Sequence, residues 1–144
     1  TSLEDFAKYP MYREIDNDQT RRIAGVNPEI GQINEEHLEI AKANLRRHFS
    51  IVGTTERFDE TLVLLQRRLN WQKEIPTFPR NVTKKKAVRL SDATIKAIES
   101  RNLLDIELHK FAGQLLDEMI AAEGEDLSTL LTSQKTLNSS KIQC

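Results

Sequence analysis

Cysteine is almost absent: the single one among 144 residues is Cys144, the last. That excludes an internal disulfide and a cysteine-rich metal site. Long apolar runs are missing too, since stretches such as Leu62–Leu65 fall far short of the roughly 20 residues a spanning helix requires. No membrane span is expected. An excess of either charge is also lacking: 21 basic residues face 22 acidic ones. No global field therefore draws the chain to nucleic acid or to a lipid surface, and any anion site has to be assembled locally. There is no glycine-rich phosphate loop, no paired-carboxylate signature and no nucleophile motif, so no catalytic residue is assigned. His37, His48 and His109 are spread along the chain without metal-ligand spacing, and no metal is expected. The first methionine is Met11 while the chain begins at Thr1, which leads us to expect a preceding portion.

What is present is helical periodicity. Ser2 suits the cap of a short first helix that Pro10 stops. Asn17 and Asp18 offer a cap for Gln19–Ala24, and Gly25 suits a left-handed exit. Asn34 caps a longer helix with Leu38, Ala41, Leu45 and Phe49 on one face. The β-branched run Ser50–Val52 reads as one short strand. Thr54 or Thr55 then caps a helix whose buried face carries Phe58, Leu62, Leu65 and Leu69. Ser91 caps a helix with Ile95 and Ile98 inward, and Asn102 breaks it. A last long helix places Leu104, Leu108, Phe111, Leu115, Met119 and Ala122 on one stripe and ends at Gly124; Leu127–Leu131 adds a short helix. Residues 1–131 form a single domain or part of one, followed by a polar tail over 132–144. A lone strand between helices implies an α/β layer whose partner strands lie elsewhere, because one buried strand leaves its backbone groups unpaired. The chain is thus mainly α with one short strand.

Three stretches carry a resemblance. They are Asn17-Asp-Gln-Thr-Arg-Arg-Ile-Ala-Gly25, Ala43-Asn-Leu-Arg-Arg-His-Phe-Ser-Ile-Val-Gly-Thr-Thr-Glu-Arg-Phe-Asp-Glu60 and Asn102-Leu-Leu-Asp-Ile-Glu-Leu-His-Lys-Phe-Ala112. In this order they resemble the carbohydrate-type sulfotransferases, the group of heparan and dermatan/chondroitin sulfotransferases and their bacterial relatives. The strand closed by Gly-x-Thr-Glu-Arg-Phe58 is the most specific part, and His109 departs from the family's usual tyrosine. The resemblance implies the C-terminal helical part of an α/β, P-loop-like sulfotransferase fold. It also implies a sulfuryl donor, 3′-phosphoadenosine 5′-phosphosulfate, a carbohydrate hydroxyl as acceptor, and in-line displacement with a histidine or glutamate base. The family's 5′-phosphosulfate loop and its central Arg and Ser motif have no counterpart in these residues, so the chain by itself is expected to be inactive.

From Asn70 to Leu90 the helical period vanishes, and the loop Thr77–Lys86 lies within it. A loop this long in a compact domain is often functional. By resemblance it closes over the nucleotide's 3′-phosphate, and Thr77, Arg80, Thr83, Lys84 and Lys85 supply the donors; a solvated lysine run is the plainer alternative. Gln19 and Arg21, in the first stretch, are candidates for the acceptor or cofactor channel, against the alternative of polar surface on a short helix. Thr55, Glu56 and Arg57 follow the expected strand but read better as helix-capping residues. The rival to an enzyme segment is a non-catalytic helical interaction module or a degenerate sulfotransferase relative.

Overall fold

A computed structural model describes residues 5, 12–71, 90–124, 129, 131 and 132. Among these the regular elements are a 3₁₀ turn at Arg13–Ile15, α1 (Asp18–Ala24), α2 (Glu35–His48), a second 3₁₀ turn at Thr55–Arg57, α3 (Phe58–Arg68), α4 (Asp92–Arg101) and α5 (Leu103–Ala122). They divide into two compact units, one of Thr1–Phe49 with Ala87–Phe111 and the other of Ser50–Lys86 with Ala112–Cys144. The first helix expected after Ser2 apart from the helical Asp5, the loop Thr77–Lys86 and nearly all of the segment after Gly124 lie outside the described residues. No helix among the described residues is long and apolar enough to cross a membrane.

The expected strand is not found. Ser50–Val52 has no ladder partner among the described residues, and a strand exists only through such a ladder. Val52 is nevertheless buried, so the apolar character read from this run serves packing without pairing.

In the first unit α1 packs on α2. Asn34 caps α2 as expected: its Oδ1 accepts the His37 N–H at 3.3 Å, and its own N–H donates to His37 Nδ1 at 3.2 Å. This box satisfies two backbone donors that a helix start leaves open. Leu38, Ala41 and Leu45 then form the buried face, with Ala24, Ile33, Leu104 and Leu108 also buried in this unit. Each leucine so buried is worth about 1.5–3 kcal/mol of transfer free energy. Phe49 does not join them. The helix stops at His48, Phe49 has extended backbone, and its ring leaves the helical period for solvent. Phe111 is half-buried, with Lys42 at 5.9 Å and Arg46 at 5.4 Å over its ring.

Helix α4 inverts its expected face. Ser91 caps it as read from the sequence, its Oγ accepting the Thr94 N–H at 3.1 Å and lying 2.9 Å from Thr94 Oγ1. That pair draws Thr94 inward, and Ile95 and Ile98 are left 40% and 38% exposed.

In the second unit, Leu62, Val63 and Leu64 on α3 are buried together with Leu115 and Leu116 on α5. Phe58 and Leu69, expected in the buried stripe, are exposed because they sit at the first helical position and at the C-cap. Neither Thr54 nor Thr55 caps the helix; Thr61 Oγ1 instead bonds back to the Arg57 carbonyl at 3.0 Å. That places Thr61 hard against Gly53. A Cβ added at Gly53 would lie 2.8 Å from Thr61 Cβ and nearer still to its Oγ1 and Cγ2. Gly53→Ala should therefore destabilise the chain by about 1–3 kcal/mol, as overpacking does. Thr61→Ala in the same chain should restore part of the loss in a urea titration.

Candidate functional site

Two of the three resembling stretches meet in the first unit. Asn17 adopts φ +49°, a left-handed conformation that asparagine tolerates, and its side chain makes no cap bond to its own helix. Instead Asn17 Oδ1 accepts the Leu104 N–H at 2.9 Å and the Asp105 N–H at 3.2 Å, at the start of α5. Asp105 reciprocates at the start of α1: its Oδ2 accepts Gln19 N–H at 3.0 Å, and its Oδ1 accepts Thr20 N–H and Thr20 Oγ1–H, both at 2.7 Å. The Asn17 N–H donates to Asn102 Oδ1 at 3.2 Å. Each helix thus supplies the cap of the other, and the acid at the positive end of α1 adds a favourable charge–dipole term.

Beneath this junction lies a buried ion pair. Arg21 and Asp16 side chains are each 6% exposed, with Nη2 3.3 Å from Oδ2. Arg21 also donates to the Pro28 carbonyl at 2.6 Å, and Asp16 Oδ2 accepts the Gly31 N–H at 2.6 Å, so the pair pins the connection from α1 to α2. Arg21 Nε is buried without an acceptor. Above it opens a cleft of about 320 Å³, rimmed by Arg13, Glu14, Asp18 and Arg22 with Gly25 and Val26 as wall. Arg13 bonds Asn27 at 2.7 Å and Glu29 at 3.0 Å, and Arg22 Nε bonds Asp18 at 2.7 Å. That bond to Asp18 raises the Arg22 pKa above its ordinary value.

The structure places the expected site residues unequally. Gln19 is exposed at the start of α1, whereas Arg21 forms part of the cleft from a buried position instead of as surface polarity. Thr77, Arg80, Thr83, Lys84 and Lys85 lie outside the described residues. Asp16 and Asp105, which organise the junction, were not singled out from the sequence, and Asn102 was read only as the break after a helix. Their signal was faint: Asn17 reads as a local cap, and nothing local tells that its acceptor serves a helix 87 residues away. Among the described residues no group of three or more His, Cys, Asp or Glu could hold a metal ion.

The Gly-x-Thr-Glu-Arg-Phe stretch has a structural occupation. Arg57 bonds Glu60 through two nitrogens, Asp117 at 2.7 Å and the Gly113 carbonyl at 3.3 Å, and the Glu60 hydrogen bond chiefly raises its pKa. At the end of α5, Glu123 accepts from Arg67 at 3.1 Å and Arg68 at 3.0 Å, and Arg68 also reaches the Ser50 carbonyl. The Arg68 bond first, then Arg67, lowers the Glu123 pKa below its ordinary value of 4.5.

A family model described as galactose-3-O-sulfotransferase matches residues 16–131. Heparan-sulfate 6-O-sulfotransferase 2 of Homo sapiens is 32% identical over 123 residues, covering 78% of this chain and 20% of that protein. Its Gallus gallus counterpart is 32% identical over 124 residues, covering 79% of this chain and 30% of that protein. The chain therefore spans about a fifth to under a third of the length of these relatives. No solved structure matches it.

The Glu123 contacts generate a pH dependence of known sign. A carboxylate whose folded pKa is depressed contributes stability that is present above its unfolded value and lost as pH falls through the folded one. Melting temperature should drop below pH 4.5 more steeply for the parent chain than for Glu123→Gln, measured by circular dichroism across that window.

Proposed function

The chain belongs to the galactose-3-O-sulfotransferase family, and on that premise we propose that it is the C-terminal portion of an enzyme moving a sulfuryl group from 3′-phosphoadenosine 5′-phosphosulfate to a carbohydrate hydroxyl. The observation that carries this reading is the family match over residues 16–131. The galactose-3-O-sulfotransferase family and the heparan-sulfate 6-O-sulfotransferase relatives support a carbohydrate acceptor. In the transfer the acceptor hydroxyl oxygen attacks sulfur and gives its proton to a histidine or glutamate base, while the bond from sulfur to the phosphate oxygen breaks. The nucleotide bisphosphate leaves with that electron pair.

Within this chain, Thr77, Arg80, Thr83, Lys84 and Lys85 hold the nucleotide's 3′-phosphate, a dianion that rewards clustered cations and hydroxyl donors. Gln19 and Arg21 border the acceptor, Gln19 from the exposed start of α1 and Arg21 by fixing the wall of the cleft. No residue described here is assigned as the base.

Calorimetric titration with 3′-phosphoadenosine 5′-phosphate at low salt tests the reading. Saturable binding is expected, weakened about tenfold or more by Arg80→Ala/Lys85→Ala, since a charge-assisted hydrogen bond is worth about 1.5–3 kcal/mol. Unchanged affinity in a folded variant removes the loop from the site.

A further inference from the structure

Resting on the reading that Gln19 borders the acceptor, we propose that Asp105 is a positioning residue for that site, setting the place of Gln19 through the backbone of α1. The Asp105 carboxylate divides its two oxygens. Oδ1 accepts twice from Thr20, from its N–H and its Oγ1–H, both at 2.7 Å. Oδ2 accepts once, from the Gln19 N–H at 3.0 Å. An ordinary helix start carries one side-chain oxygen on one donor of its second or third residue. Here both donors receive an oxygen of their own, from a carboxylate 86 and 85 residues away.

The arrangement fixes more than a helix end. With only seven residues and no cap from Asn17, α1 takes the placement of its first turn from whatever meets those donors. Thr20 is wholly buried and held at two atoms, so it is the pivot. Gln19 is exposed and held by its backbone, and its carboxamide makes no hydrogen bond among the described residues. Three positions on, and so on the same side of α1, Arg22 forms part of the rim of the cleft. Asp105 is itself held from the other direction: Asn17 Oδ1 accepts its N–H at 3.2 Å, and Asn102 Oδ1 accepts the Asn17 N–H at 3.2 Å. A displacement of Asp105 Oδ2 is therefore a displacement of Gln19. A binding side chain has to be held to within about 0.5 Å, which a short helix achieves only with such outside support.

If Asp105 were only a cap, its loss would be felt in stability and nowhere else. Asp105→Asn separates the two roles. The amide keeps a carbonyl oxygen for Thr20, which offers two donors, and turns its N–H groups toward the Gln19 N–H, donor against donor. Gln19 is released while Thr20 stays bound. Asp105→Glu is the second variant: it keeps the charge at the helix end and shifts both oxygens by a methylene.

Affinity of the full chain is measured by calorimetry with N-acetyllactosamine and, separately, with a heparan-sulfate tetrasaccharide, alongside the melting temperature of each variant. For the saccharide that binds, Gln19→Ala, Asp105→Asn and Asp105→Glu should each weaken affinity about tenfold. Gln19→Ala/Asp105→Asn should weaken it no further than Gln19→Ala alone, because Asp105 acts through Gln19. The melting temperature should fall with Asp105→Asn to the same extent in either background, since the lost bond is made by the backbone. Unchanged affinity in folded Asp105 variants overturns the proposal, as do losses that multiply in the double variant. So does a parent chain that binds neither saccharide. A parallel titration with 3′-phosphoadenosine 5′-phosphate distinguishes this from failure of the enzyme reading. Nucleotide binding without saccharide binding removes the roles of Gln19 and Asp105 alone, whereas coupled saccharide binding without nucleotide binding upholds them and tells against the enzyme.

Discussion

The first unit depends on Asn17 and Asp105 each satisfying the helix that the other begins. A helix of seven residues such as α1 cannot persist on its own, because the cost of nucleation is recovered only over longer helices. Its first backbone donors are met by Asp105, and the donors of α5 are met by Asn17, so neither start is complete without the other. The left-handed backbone of Asn17 follows from this demand, since its side chain has to point at a distant helix rather than at its own. Once α1 is fixed, Arg21 falls where it can hold Pro28 and Asp16, and the loop to α2 is fixed in turn. Burying that ion pair is costly in itself. It is tolerable here because Asp16 Oδ2 accepts the Gly31 N–H and Arg21 is shared between a carboxylate and a carbonyl.

The second unit solves a different problem with the same means. No side chain caps the start of α3, and Arg57 ties that start to α5 by joining Glu60, Asp117 and the Gly113 carbonyl. Gly53 allows the backbone to pass close to Thr61, which no side chain at that position would permit. Of the Gly-x-Thr-Glu-Arg-Phe stretch, Gly53 and Arg57 are thus accounted for by close packing and by ion pairing. Residues that identify a family need not be those that touch its substrate.

What local chemistry dictates was legible in the sequence: the caps at Asn34 and Ser91, the glycine exit at Gly25, the buried face of Leu38, Ala41 and Leu45, and the ending at Gly124. Misreadings fell where a residue sits at the edge of its element or where tertiary demand overrides pattern. Phe49, Phe58 and Leu69 obey the period on paper but lie at or beyond helix ends, and Ile95 and Ile98 yield the inner face to a threonine held by its cap. Ser50–Val52 has β-branched chemistry without a ladder. Of the candidate site, the segment Asn17–Gly25 stands out in the sequence and its architecture does not, since Asp105 caps it from 85 residues away, a separation that no window of sequence reveals.

Charge parity, which at first only excluded partners, also separates the tasks along the chain. In the first unit the arginines of the cleft are each paired with a neighbouring acid. Between Glu74 and Asp92 the sequence reverses this: Arg80, Lys84, Lys85, Lys86 and Arg89 occur with no carboxylate among them. A run of cations with no acid beside it in sequence is what the proposed nucleotide site calls for, since a phosphate is attracted most by charges that no neighbouring carboxylate offsets. The near-zero net charge of the chain thus conceals segments of different local charge and is not a sign that charge is unimportant to it.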